Sequence, residues 1–120
     1  MLQPAPSGAL DPSVLQCLRE ALDDVSGDFI SELATVYESQ ALVLMEQMSD
    51  AAQACDVPRI NFVAHSLKGS SANVGGHRVV SLCAALEHWN GSPHQATPTV
   101  ATLRTELAAL LEELRAFVAH

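Results

Sequence analysis

Four long stretches of this chain repeat apolar residues at three- and four-residue spacings, and the segments between them are short. That period belongs to helices with one buried face. Ile30, Leu33, Tyr37, Ala41, Leu44 and Met48, widened by Phe29 and Val36, mark a helix from about Gly27 to Ala54. Asp56, with Pro58 in the first turn behind it, opens the next helix, and Gly75-Gly76 stops it. A further helix starts near His77 and carries Val79, Leu82, Cys83, Leu86 and Trp89. Asn90-Gly91-Ser92-Pro93 reads as a turn. Thr97-Pro98 is expected to open the last helix, with Val100, Leu103, Leu107, Leu110, Leu111, Leu114 and Phe117 on its apolar side. A shorter helix precedes all of these. Asp11 caps it, Pro12 takes its first position, and it ends near Asp23 or Asp24.

Short connections between long amphipathic helices favour antiparallel neighbours. The expected fold is all-α: an antiparallel up-down-up-down four-helix bundle over residues 11–119, with an additional short N-terminal helix across one end or along a side. Residues 1–10 read as a flexible lead or the end of a linker, without the basic start and apolar run of a signal peptide.

Composition narrows the function. A net charge of −8 argues against nucleic acid as a partner. No run of about 20 apolar residues is present, so no membrane insertion is expected. Cys17, Cys55 and Cys83 are odd in number and form no CxxC pair, which fits a reducing cytoplasm rather than a disulfide framework or zinc site. Cys17 and Cys83 fall at helical core positions.

The chemistry concentrates in His65-Ser66-Leu67-Lys68-Gly69-Ser70-Ser71. At about 100° per residue, His65 lies about 200° from both Val63 and Leu67, so it points away from the apolar stripe. Asn61, Phe62, Lys68, Gly69 and Ala72 are its helical neighbours. A glycine inside a helix costs about 1 kcal/mol against alanine, so Gly69 reads as a cost accepted for access to the ring. No acidic residue occurs between Asp56 and Glu87, whereas Arg59, Lys68 and Arg78 do. Such a surface suits an imidazole that must carry an anionic group, with no carboxylate within a helical turn of it. Ser70 and Ser71 read as small packing residues whose hydroxyls bond back to the helix. The five histidines suggest no metal site: His65 faces outward, and His77 and His88, 11 residues apart, are separated by about 16 Å of rise.

This pattern resembles the histidine-containing phosphotransfer (HPt) domain of bacterial multi-step phosphorelays. The family motif, a histidine, a variable residue, an aliphatic residue, lysine, glycine and small residues, stands here as His65 to Ser71. The resemblance runs on through Ala72-Asn73-Val74-Gly75 to Leu82-Cys83-Ala84-Ala85-Leu86-Glu87 and covers roughly residues 10 to 118. The proline-containing loop from Ser92 to Pro98 is a departure from it.

The resemblance implies that His65 accepts a phosphoryl group from a phospho-aspartate on one receiver domain and passes it to an aspartate on another. The partners would be receiver domains of a hybrid sensor kinase and of a response regulator. The receiver would bring the magnesium ion; the chain needs no cofactor of its own. Lys68 would neutralise phosphoryl oxygens and Gly69 would leave room for the partner. Phe62, Ala72, Arg59 and Arg78 are candidate partner contacts. A monomer is expected, and a phosphoryl carrier rather than an enzyme, since no glycine-rich nucleotide segment is present. The alternative is a docking or inhibitory helical module that binds a sensor kinase or receiver without transfer.

Overall fold

The computed structural model describes residues 8–119, and these are helical apart from short connections. The helices are α1 (Pro12–Ala21), α2 (Asp28–Gln53), α3 (Val57–Val74), α4 (His77–Glu87) and α5 (Pro93–Val118). The second to fifth form the four-helix bundle, α2 beside α3 and α5, and α4 beside the same two. The short α1 packs along the α2–α3 side. Among the described residues, no helix is long and apolar enough to cross a membrane.

Local chemistry sets the helix ends. The Asp11 carboxylate accepts the Ser13 N–H at 3.0 Å, and Pro12 starts α1. Asp24 reaches over the left-handed Gly27 to accept from the N–H groups of Phe29 and Ile30, at 3.3 and 3.1 Å, and so caps α2. Asp56 caps α3 through the Arg59 N–H. Three helices close on a residue of positive φ: Asp23 after α1, Cys55 after α2 and Gly75 after α3. Each such turn returns paired N–H groups to the last carbonyls, as in Cys55 to Ala52 and Asp56 to Ala51. Gly75 also passes against Asp11, whose backbone oxygen would lie 2.5 Å from an added Cβ.

The core joins Ile30, Tyr37 and Met48 of α2, Ile60, Val63 and Leu67 of α3, Val79, Cys83 and Leu86 of α4, and Leu103, Leu110 and Leu114 of α5. One polar pair lies inside it. Tyr37 Oη and Ser71 Oγ are 2.6 Å apart, and burial pushes the tyrosine pKa up to about 12, so the hydroxyl stays protonated.

Four expectations need correction. Residues 8–10 are packed rather than part of a flexible lead; residues 1–7 lie outside the described residues. Ala9 and Leu10 are buried, the Ala9 N–H is donated to Glu113, and His77 Nε2 donates to the Gly8 carbonyl. Cys17 is exposed, because α1 buries only Leu15 fully. Phe29 and Val36 are exposed rather than widening the core stripe. The last helix begins at Pro93, not at Thr97-Pro98. Extended Ser92 followed by Pro93 makes the natural start, and Pro98 in the second turn forfeits only one backbone bond. The buried Ala96 and Val100 hold that first part of α5 against the bundle.

Candidate functional site

α3 buries Ile60, Val63, Ala64, Leu67, Ser71 and Val74 and presents the opposite face to solvent. His65 stands on that face with its side chain 69% exposed, and Lys68, one turn on, is half-buried. Gly69 is exposed, and a Cβ built there would meet nothing within 4 Å. The bundle therefore does not require glycine at this position. It leaves open space on the exposed face of α3, four residues on from His65.

The expectation of a site without acidic neighbours holds only along α3. Glu87, the last residue of α4, reaches across: one carboxylate oxygen pairs with His65 Nδ1, and the other accepts from Lys68 Nζ. His88 Nε2 stands 3.8 Å from that second oxygen. Glu87 is only 14% exposed, and these partners hold it ionised. The Lys68 hydrogen bond, then the His65 one, pulls its pKa from 4.5 down to about 2. An ionised carboxylate can only accept, so Nδ1 carries the hydrogen of this pair. In the neutral ring the lone pair then resides on Nε2. The pairing thus favours the Nδ1–H tautomer on a largely exposed side chain, with a cation a turn away.

The other residues singled out in the sequence fall at different distances. Phe62 is 71% exposed, three residues before His65 on α3. Ala72 is exposed and lines a groove with Val14, Cys17, Leu18, Phe29 and Leu33 from α1 and α2. Arg59 lies exposed in the first turn of α3, about 9 Å from His65 along the helix axis. Arg78 is not brought to the site: its guanidinium lies 3.5 Å from Glu106 of α5, and about 13 Å of helix separates it from Glu87. Ser70 bonds back to Ser66 and Leu67 as expected, whereas Ser71 bonds to Tyr37 instead. Among the described residues, no three His, Cys, Asp or Glu side chains converge to hold a metal ion.

Glu87 is the residue that reasoning along one helix misses. Its signal was its position, closing both the acid-free stretch and the Leu82–Glu87 part of the family pattern.

The chain is similar to known proteins over most of its length. The chain is 32% identical over 83 residues to histidine-containing phosphotransfer protein 2 of Arabidopsis thaliana, an alignment covering 67% of this chain and 53% of that protein. The chain thus spans about half the length of that relative. It is 28% identical over 115 residues to histidine-containing phosphotransfer protein 1 of Oryza sativa subsp. japonica, covering 92% of this chain and 78% of the other. In fold it is similar to the crystal structure of histidine-containing phosphotransfer protein B from Pseudomonas aeruginosa, with a TM-score of 0.73, 23% identity, and coverage of 95% and 97% of the two chains. Residues 32–117, which hold His65, Lys68, Gly69 and Glu87, match the model of the Hpt domain. With that match across most of its length, the chain belongs to the Hpt domain family.

Proposed function

We propose that this chain is a phosphoryl carrier in a phosphorelay, loaded and unloaded at Nε2 of His65. One observation carries the reading: an outward-facing histidine with Nδ1 engaged by an ionised carboxylate, Lys68 beside it and vacant space over Gly69. The Nε2 lone pair attacks the phosphorus of a receiver's aspartyl phosphate. The bond from phosphorus to the aspartyl oxygen breaks, and the aspartate leaves as a carboxylate. The Nδ1 proton stays in place, so the phospho-imidazole ring is cationic and faces Glu87. Lys68 compensates the phosphoryl oxygens. Transfer to a second receiver is the same step reversed, and no general base is consumed.

The receiver docks over this face. Phe62 and the groove beside Ala72 supply its apolar contacts, and the receiver contributes the magnesium ion. The carrier works in the cytoplasm as a monomer, turns over stoichiometrically, and has no ATP-dependent activity of its own.

The test is transfer from a radiolabelled phospho-receiver to the wild type and to His65→Gln. The expected result is an acid-labile, alkali-stable label on the wild type and none on the variant, with the two equally helical. Label retained by His65→Gln would overturn the assignment. Binding of receivers without label on either protein would establish the docking or inhibitory module instead.

A further inference from the structure

The end of α4 is built differently from the ends of the three helices before it. The helices α1, α2 and α3 close on left-handed residues that return N–H groups to the last carbonyls. α4 has no such turn: His88 follows it at φ −105°, ψ 16°. The Leu86 carbonyl, which the Trp89 N–H reaches at 3.2 Å, and the Trp89 carbonyl just beyond the helix are both met from outside as well. The carboxamide of Asn61 on α3 donates to the Leu86 carbonyl at 2.7 Å and to the Trp89 carbonyl at 3.1 Å. Both partners are acceptors only, so the NH2 group faces them and both its hydrogens are used. Those two carbonyls lie on either side of Glu87 in the sequence.

We propose that Asn61 is a positioning residue of the phosphoryl-accepting site: by clamping the C-terminus of α4, it aims the Glu87 carboxylate at His65 and Lys68. The inference rests on the reading of Glu87 as the group that fixes the His65 tautomer. Its geometry is that of one stripe. Asn61, His65 and Lys68 are four and seven residues apart, so they line the same side of α3 within about 60°. The first grips the α4 backbone, and the other two take the side chain of the residue between the gripped carbonyls. Glu87 has three rotatable bonds and can bridge both partners only if its backbone is held to within about 0.5 Å. Asn61 supplies that hold one turn from the imidazole it serves, without touching the transferred group.

The experiment reads the imidazole directly. 15N-labelled protein, held at a pH where the ring is neutral, reports the proportion of Nδ1–H and Nε2–H forms of His65. Phosphorylation by phosphoramidate reports its reactivity without any docking partner. The variants are Asn61→Ala, Asn61→Ser, Glu87→Gln, the Asn61→Ala/Glu87→Gln double variant, and Ile30→Val as a core substitution remote from the site. Trp89 emission and helicity establish that each is folded.

Glu87→Gln is expected to mix the tautomers and slow phosphorylation about tenfold, and Asn61→Ala to move both readings the same way by about three- to tenfold. Asn61→Ser, which keeps one donor, falls between Asn61→Ala and the wild type, and serves alone if the alanine variant does not fold. The double variant should be no slower than Glu87→Gln, because the two residues act through one carboxylate. Ile30→Val should leave the tautomer unchanged. A shifted tautomer in Glu87→Gln but a wild-type one in both Asn61 variants overturns the positioning role alone, as does a double variant whose losses multiply. A wild-type tautomer in Glu87→Gln overturns the role of Glu87, and this inference with it.

Discussion

Glu87 accepts from Lys68 and pairs with His65 at the same time, and its acidity records both contacts. Because its folded pKa, about 2, lies below the ordinary 4.5, the bridge stabilises the fold fully above the ordinary carboxylate range. That contribution is lost as pH falls from there through about 2. A 13C titration of the Glu87 carboxyl should therefore show a midpoint near 2, and Lys68→Met, which removes the largest cause, should raise it. An unshifted wild-type midpoint would mean that the bridge is absent in solution. His65, Lys68 and Gly69 were legible in the sequence because one helix carries all three and its 100° step fixes their directions. Glu87 was not, since its approach depends on how two helices separated by the Gly75-Gly76 turn pack together. Asn61 was visible as a neighbour of His65, but its partners are backbone carbonyls 25 and 28 residues away, and no side-chain pattern encodes those.

The helix pairing that aims this face has its own polar pin. Tyr37 of α2 and Ser71 of α3 share a buried hydrogen bond, with Ser71 fully buried. Tyr37→Phe removes one partner and leaves the serine hydroxyl inside the core, at a cost of about 1–3 kcal/mol. Tyr37→Phe/Ser71→Ala removes both polar groups and should recover part of that loss. Urea unfolding with a constant m-value measures both. A single variant as stable as the wild type would show that Ser71 turns back to its own helix, the arrangement its sequence position suggested. Helix stops divide in the same way. Gly75 announced its left-handed turn because glycine meets no steric penalty there. Asp23 and Cys55 adopt the same conformation with exposed side chains that gave no such signal, in turns closed by local backbone hydrogen bonds. Pro98 misled for the opposite reason: proline marks a helix start, but Pro93 already supplied one five residues earlier.

Across the whole molecule, the segment before α1 ties the bundle's end together. Leu10 is 6% exposed in the core, the Ala9 N–H is held by Glu113 of α5, the Gly8 carbonyl by His77 of α4, and the Asp11 N–H by the Gly75 carbonyl at 2.8 Å. This strap joins α1 to the α3–α4 turn and to α5. It lies far from the chemistry, since His65 precedes Gly75 by ten residues, about 15 Å of α3. Stability and transfer should then separate. Leu10→Ala opens a cavity under the strap and should cost about 2–5 kcal/mol. At a temperature where the variant remains folded, its transfer rate should stay within about twofold of the wild type, because sites this far apart without shared partners act independently. Thermal unfolding and receiver-to-carrier transfer, measured on the same preparation, check the two halves. A rate that fell with the stability would instead mean that the strap sets the placement of α1. The groove that α1 forms with Phe29, Leu33 and Ala72 would then be the route by which a distant cavity reaches docking. The decisive comparison is phosphoramidate, which needs no docking. A Leu10→Ala defect seen with a receiver and absent with the small donor would place the loss in that groove, whereas one seen with both would place it at the imidazole.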